Sequence, residues 1–205
     1  MKILIISGTP KRDGLCCSMV KAAADAALGQ GVNAEIVGLS DHSLGLCRMC
    51  GDGWGLCNKE HRCAFGDADG FNALQDKCKE ADAFVFVTPV YWGEVSEAMK
   101  SFLDKLRRCQ ASKQWGDASA DISFFRDKPS ILVASAGGGG GGIVNTFSQM
   151  ERAVGHMGGD AFPRMRKGVF DYVAVNRWNQ AYKREALRQA VIALIASMRE
   201  DNGTD

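Results

Sequence analysis

A short, entirely apolar run near the start of the chain, residues 3–6, places the tightest constraint on the fold. It contains three isoleucines and one leucine, which predicts a strand buried on both faces, as in a parallel sheet. A polar loop with two glycines follows, and from Ser18 small and apolar residues recur at helical spacing. A loop between a buried strand and a helix start presents backbone N–H groups and the positive end of the helix dipole. The opening therefore predicts an anion-binding turn, most simply one for phosphate.

The same alternation of apolar run and amphipathic helix continues along the chain. Further strands are predicted at residues 33–39, 83–88, 131–135 and within 168–175, separated by helical patterns. Five such units predict an α/β fold, a doubly wound parallel sheet with helices on both faces and right-handed crossovers. In the strand order 2-1-3-4-5, the loops after strands one, three and four are neighbours.

Length and charge exclude several classes of protein. The 205 residues suit one domain spanning residues 1–205, and 25 Lys and Arg against 24 Asp and Glu give a net charge of +1. This balance argues against nucleic acid and anionic membranes as partners. No apolar run reaches the ~18 residues of a membrane span, and the first residues fit a core strand better than a signal peptide. We expect a soluble cytoplasmic protein.

Two segments depart from the strand and helix pattern. Residues 41–70 are rich in Gly and Cys and are too long for an ordinary connection of ~4 to 6 residues, which predicts a functional insertion. Residues 110–128 predict an excursion that covers the site or meets another subunit. Its aromatic residues, Trp115, Phe124 and Phe125, are expected to be exposed.

Three loops at predicted strand ends have unusual composition: residues 7–17, 88–95 and 135–142. The first lacks the spacing of a triphosphate-binding loop and that of a dinucleotide-binding turn, but a monophosphate needs only backbone N–H groups, hydroxyls and a Lys or Arg. The second places Tyr91 and Trp92 beside Gly93, where they can form flat walls for a planar ring. The third contains six consecutive glycines between a buried strand and a helix, which favours a ligand-contacting turn. Each has a plainer alternative: a solvated turn, core packing of two aromatics, and a flexible linker.

These loops together resemble a known family. The segments Gly-Thr-Pro-Lys-Arg-Asp-Gly (8–14) and Pro-Val-Tyr-Trp-Gly-Glu-Val-Ser-Glu-Ala-Met-Lys-Ser-Phe-Leu-Asp-Lys (89–105), followed by the glycine run, resemble the NADPH-dependent FMN reductases. These are flavodoxin-like oxidoreductases, and the most similar branch is the iron–sulfur flavoproteins. The resemblance extends over residues 1–157. It implies a flavodoxin-like fold, FMN, and a homodimer or homotetramer.

The resemblance also implies an activity. FMN would accept hydride from NAD(P)H and pass electrons to a quinone, a flavin, an azo or nitro compound, or a redox protein. An electron carrier or redox sensor without its own substrate is the alternative, and a third is an interaction protein that has lost FMN. No side chain is expected to act as acid or base.

The residues that the resemblance assigns to FMN fall in the three loops. The phosphate is expected at Ser7, Thr9, Lys11, Arg12, Gly14, Leu15, Cys16, Cys17 and Ser18. The ring is expected against Pro89, Val90, Tyr91, Trp92 and Gly93, with its other edge on Ser135, Ala136, Gly137 and Gly138. Family members commonly have Asn-Thr where this chain has Leu15-Cys16, so an amide and a hydroxyl are replaced by an alkyl group and a weak thiol donor. Phosphate binding is then expected to rely on backbone N–H groups, Thr9 and Ser18.

Four of the eight cysteines cluster within the insertion, at Cys47, Cys50, Cys57 and Cys63. Four thiolates at this spacing can hold a [4Fe-4S] cluster or a tetrahedral zinc ion, or they can remain metal-free thiols. The iron–sulfur flavoproteins have a more compact run, and here residues 51–56 separate the second cysteine from the third. Nearby, His61 is an alternative ligand, although a position at the surface is favoured. Asp67 and Asp69 could also suggest a metal site, but they are expected to cap the next helix. The other cysteines (Cys16, Cys17, Cys78 and Cys109) are expected to be small buried residues.

Overall fold

The computed structural model describes residues 1–53, 55–110, 123–161 and 172–201, and its centre is a mainly parallel sheet. The hydrogen-bonded order is β2-β1-β3-β5, and both β6 and β7 pair with the free edge of β5. The strands are β1 (Lys2–Ser7), β2 (Asn33–Gly38), β3 (Ala83–Tyr91), β4 (Glu94–Val95), β5 (Pro129–Ala136), β6 (Asp160–Ala161) and β7 (Tyr172–Asn176).

The predicted order 2-1-3-4-5 is confirmed for the five main strands, with β5 and β7 as the fourth and fifth. The short β6 pairs with the first two residues of β5, and β7 pairs with the remainder. The sheet also has one antiparallel strand that the sequence pattern did not predict, because β4 folds back on the end of β3.

Helices cover both faces of the sheet. They are α1 (Leu15–Gly29), α2 (Leu56–Lys59), α3 (Phe71–Glu80), α4 (Glu97–Gln110), α5 (Ile143–His156) and α6 (Gln180–Asp201), with a 3-10 turn at Leu39–Asp41. The helix predicted from Ser18 begins three residues earlier, at Leu15. Cys16 and Cys17 therefore belong to its first turn.

Alternate residues of β1 bury on opposite faces, as the period of a strand requires. Ile3 and Ile5 pack in the core that α1 and α6 cover, whereas Leu4 and Ile6 pack in the core under α3, α4 and α5. All four are essentially inaccessible to solvent. Each such side chain contributes about 1.5–3 kcal/mol of burial free energy, which explains why the run contains only apolar residues.

Two predictions about local structure were wrong. Strand β3 does not end at Thr88 but continues to Tyr91, because Pro89 pairs with Ser135 and Tyr91 pairs with Glu94. Phe125 is not exposed: it is fully buried, with its ring centroid 4.4 Å from that of Phe84. Strand β5 begins four residues after Phe125. This short connection places Phe125 on the face of the sheet to which Phe84 points.

Of the other aromatics in the predicted excursion, Phe124 is half-buried and Trp115 lies outside the described residues. Among the helices in the described part of the chain, none has the length and apolar character needed to cross a membrane.

Candidate functional site

The carboxyl ends of β1, β3 and β5 lie side by side at one edge of the sheet. In the strand register, Ser7 of β1 is opposite Val87, and Pro89 of β3 is opposite Ser135. The expectation that the three unusual loops are neighbours is therefore confirmed. Ligands of open α/β sheets bind at this kind of edge.

Short hydrogen bonds join the first two loops. The Gly8 N–H donates to the Val87 carbonyl at 2.8 Å, and the Ser96 hydroxyl donates to the Gly8 carbonyl at 2.7 Å. A Cβ added to Gly8 would lie 2.7 Å from Ser96 Oγ and 2.9 Å from Met99 Cβ. Only glycine fits there without displacing the start of α4.

The first loop leads into a helix start that no side chain of the described residues caps. Helix α1 has 15 residues, and Gly14 precedes it with φ of 93°. The first N–H groups of a helix have no partner within it, so this uncapped end is suited to an anion. The Ser18 hydroxyl donates to the Leu15 carbonyl at 2.8 Å within the helix. Ser18 therefore already uses the one proton that it could donate to a phosphate.

The remaining groups of the first loop differ in their accessibility. Ser7 and Thr9 are buried, and the Thr9 hydroxyl accepts a 3.3 Å hydrogen bond from the Lys11 N–H. Arg12 forms a 2.6 Å exposed ion pair with Asp41. Cys17 is half-buried, not buried as expected, because its thiol turns outward to donate to the Lys11 carbonyl at 3.3 Å.

Cys16 is the residue at which the first and third loops meet. Its side chain is buried, and the hydroxyls of Ser135 and Thr9 lie within hydrogen-bonding reach of its thiol. Burial raises the pKa of Cys16 to about 11, although the hydrogen bonds from Ser135 and Thr9 act in the opposite direction. The thiol is therefore neutral at physiological pH and adds no negative charge beside a phosphate.

The second loop is the turn of the β3–β4 hairpin. Pro89 is buried and Val90 half-buried, but Tyr91 is exposed and Trp92 is fully exposed. The alternative that these aromatics are core residues is therefore excluded. Trp92 and Gly93 have φ of 51° and 85°, which turn the chain sharply.

The third loop is a turn between β5 and α5, which excludes the flexible-linker alternative. Ser135 and Ala136 are buried at the strand end, and Gly137 and Gly138 are exposed. An open cavity of about 450 Å³ lies between this loop and the hairpin, lined by Val90, Trp92, Gly93 and residues 136–142.

The predicted metal ligands lie in a different place, between the insertion and the second half of α4. Cys47, Cys50, Cys57 and Cys63 all line one cavity of about 180 Å³. Cys109 of α4, buried as expected, also lines it and was not predicted to do so. All eight cysteines of the chain are described, and none forms a disulfide.

Side chains of α3 and α4 hold the insertion in place. Asn72 donates to the Cys63 carbonyl and accepts from the Cys63 N–H, at 3.1 and 3.3 Å. Asp69 forms an ion pair with Lys105, which is only 3% exposed, and it accepts hydrogen bonds from the N–H groups of Gly45 and Phe71. Asp69 thus bonds the first N–H of α3, as predicted, but it also joins the insertion to α4.

The structure does not confirm a single-ion metal site. Within the described residues, no three His, Cys, Asp or Glu side chains converge closely enough to hold one metal ion. His61 does not line the cavity, and its Nδ1 lies 3.0 Å from the Cys109 carbonyl. The four predicted ligands surround a cavity without meeting at a point.

Comparison with known proteins decides the family. The family model of NADPH-dependent FMN reductases matches residues 1–164. The chain belongs to the NADPH-dependent FMN reductase family. Members of this family are flavin-dependent oxidoreductases, and all three loops described above fall within the matched region.

Individual relatives agree with this assignment. The chain is 33% identical over 107 residues to an iron–sulfur flavoprotein of Methanocaldococcus jannaschii, a match that covers 52% of each protein. The matches to this protein and to three other iron–sulfur flavoproteins each span about half of the relative's length.

Solved structures support the flavodoxin-like fold. A crystal structure of RosB with a bound 8-demethyl-8-formylriboflavin-5'-phosphate intermediate superposes with a TM-score of 0.72 at 17% identity, covering 98% of this chain and 81% of RosB. A WrbA-like flavodoxin of Agrobacterium tumefaciens superposes with a TM-score of 0.62 at 16% identity, covering 97% of both chains.

Sequence reasoning missed several residues of these two sites. Lys105 could have been found from the sequence, because it follows Phe102 by three positions and so lies on the apolar stripe of α4. A lysine there needs a buried partner, which is Asp69. Asn145 and Gln149 of α5, which contact the hairpin, gave no such signal because polar residues on a half-exposed helix face are ordinary.

Proposed function

We propose that this protein is an FMN-dependent oxidoreductase that takes hydride from NAD(P)H and passes electrons to a quinone, a flavin, an azo or nitro compound, or a redox protein. The observation that carries the proposal is the meeting of three elements at one sheet edge. They are the uncapped start of α1, an exposed aromatic hairpin and a glycine turn. Together they offer a phosphate site and a flat open site for a ring.

The phosphate would bind at the start of α1. The N–H groups of Leu15, Cys16 and Cys17 form the first turn, and Lys11 adds a positive charge nearby. A doubly charged phosphate gains from both the free N–H groups and the helix dipole. Because these donors belong to the backbone, replacing Asn-Thr by Leu15-Cys16 removes two side-chain contacts and leaves the main donors intact.

The ring would lie between the β3–β4 hairpin and the glycine turn. Tyr91 and Trp92 supply apolar walls, and the absence of side chains at Gly137 and Gly138 leaves the other edge open. Bound FMN would supply the acceptance of hydride and the release of electrons, while the protein places the ring and limits access to it. We assign no side chain as acid or base.

An anaerobic reduction experiment tests this proposal. Purified protein reconstituted with FMN is mixed with excess NADPH, and in a parallel sample with NADH, and the absorption of the flavin is followed. Loss of the oxidised flavin band at a rate far above that of free FMN supports the proposal. A flavin that stays oxidised with both donors contradicts the enzyme and favours the electron carrier.

The cysteine cavity favours a second candidate function, that of an electron carrier with a [4Fe-4S] cluster held by Cys47, Cys50, Cys57 and Cys63. The fit rests on four thiols that line one cavity. Iron and sulfide analysis after anaerobic reconstitution tests it. Cys57→Ser should lose iron, whereas the control Cys78→Ser, at a core position away from the cavity, should retain it once folding is verified.

We also propose that the chain forms one domain and works in the cytoplasm as a homodimer or homotetramer, without nucleic acid or membrane partners. The apolar side chains of Trp92, Val144, Trp178 and Tyr182 are exposed, and burying them against another subunit would be favourable. Light scattering on the FMN-loaded protein measures the oligomeric state directly. A monomer at all concentrations would contradict this part of the proposal.

A further inference from the structure

Trp92 is held in a conformation that its own side chain does nothing to stabilise. Its φ of 51° lies in the left-handed region, which bulky residues avoid. Its side chain is fully exposed, so burial offers no compensation. Such a conformation persists only where neighbouring contacts impose it.

The β3–β4 pairing closes the turn that contains Trp92, and one face of α5 adds contacts to the residues that follow Trp92. The Asn145 side-chain amide donates to the Gly93 carbonyl at 2.9 Å, and the Gln149 side-chain carbonyl accepts from the Val95 N–H at 3.2 Å. Residues four apart on a helix lie on the same face. The two side chains therefore hold the turn of the hairpin and its returning strand from a single direction.

The glycine turn is held against the same hairpin. Gly142, at the start of α5, lies so close to Gly93 that an added Cβ would overlap the Gly93 Cα. The Gly142 carbonyl in turn accepts a 3.0 Å hydrogen bond from the Thr146 hydroxyl. The start of α5 thus fixes the separation between the glycine turn and the hairpin, which are the two sides of the proposed ring site.

We infer that Asn145 and Gln149 are positioning residues that set the place of Tyr91 and Trp92 beside the flavin ring. This inference rests on the proposed function, because it concerns the same site. The two side chains have opposite requirements. Asn145 must donate, since its partner is a carbonyl, and Gln149 must accept, since its partner is an N–H group.

The opposite requirements allow a matched test with Asn145→Asp and Gln149→Glu. Each variant adds one negative charge to the same face of α5, one turn apart, so their general electrostatic effects are alike. Asn145→Asp removes the donor, and its FMN dissociation constant should rise about 2- to 10-fold. Gln149→Glu keeps the acceptor and should leave the constant unchanged, whereas Gln149→Met removes the acceptor and should resemble Asn145→Asp.

A second pair of variants tests the glycine contact. Gly142→Ala and Gly31→Ala both place alanine at a positive φ, so they share the backbone strain. The added methyl of the first collides with the Gly93 backbone, whereas that of the second, after the end of α1 and away from the ring site, meets no atom within 4 Å. Gly142→Ala should therefore shift the visible circular dichroism of bound FMN, and Gly31→Ala should not.

Amide hydrogen exchange over residues 89–97 of the FMN-free protein gives a readout independent of the cofactor. Exchange should rise in Asn145→Asp and Gln149→Met and stay at the wild-type level in Gln149→Glu. Equal effects of Asn145→Asp and Gln149→Glu, or no effect of Asn145→Asp, would overturn the inference. If the wild-type protein fails to bind FMN, the proposed function fails, and hydrogen exchange still decides whether these side chains hold the hairpin.

Discussion

Replacing Lys105 by methionine would break the ion pair that ties the cysteine insertion to α4. Lys105 is 3% exposed and its partner Asp69 13%, so the methionine leaves a largely buried carboxylate without its cation. Losing one partner of a buried pair typically costs about 3–5 kcal/mol. Asp69 keeps the N–H groups of Gly45 and Phe71 as donors, which lowers the expected loss of unfolding free energy to about 2–3 kcal/mol.

The measurement is equilibrium unfolding in urea, followed by circular dichroism. Lys100→Met is the matched control, because Lys100 pairs with Asp104 in the same helix but both side chains are at least 40% exposed. That exposed pair should contribute only about 0.3–0.5 kcal/mol.

The double variant Asp69→Asn with Lys105→Met separates the two partners. It removes the uncompensated charge and should recover only part of the loss, because the N–H groups of Gly45 and Phe71 bond to different oxygens of Asp69 and the single amide oxygen of Asn can accept from only one of them. The reasoning is refuted if Lys105→Met costs no more than Lys100→Met.

Three further predictions follow from single residues. Trp92→Asn should raise the unfolding free energy by about 1 kcal/mol, because Asn tolerates the left-handed conformation and no burial is lost. The same variant should weaken FMN binding. A lower unfolding free energy would contradict the backbone strain inferred at Trp92. Cys16, whose pKa is raised from 9.0 to about 11, should resist iodoacetamide at neutral pH in the FMN-free protein. Its contribution to stability is fully present below pH 9 and is lost as pH rises toward 11, by about 3 kcal/mol, and Cys16→Ser should lack this loss. Burial alone would raise the pKa of Asp69, but hydrogen bonds from Lys105, Gly45 and Phe71 outweigh it and lower this pKa. The attachment of the insertion should therefore persist at pH 5 and weaken only as the pH falls below about 4. Hydrogen exchange of residues 41–70 would detect this weakening.

The fold could be predicted from the sequence because its signals are local and repeated. The runs at β1 and β5 are too apolar for anything but a buried strand, and the loop after each contains residues that favour turns. The strand order then follows from general rules of parallel sheets. The β3–β4 hairpin was missed because Pro89 and Gly93 are residues that usually end a strand, and because β4, with two residues, is too short to show a periodic pattern.

The candidate site was only partly predictable for a related reason. Loop composition identified which segments would meet, since strand ends of a parallel sheet share one edge. It did not reveal that Cys16 bridges Thr9 and Ser135, or that Cys109 joins the other four cysteines at their cavity. Both contacts join residues far apart in the chain, and cysteines at such positions look like ordinary core residues in the sequence.

The most direct test of the central claim compares the affinities of the protein for FMN and riboflavin, which differ only in the phosphate. Titration followed by quenching of flavin fluorescence gives both dissociation constants under the same conditions. If the start of α1 holds the phosphate, FMN should bind about 100-fold or more tightly than riboflavin, since each charge-assisted hydrogen bond contributes about 1.5–3 kcal/mol. Equal affinities, or binding of neither flavin, would contradict a flavin monophosphate site at this edge of the sheet.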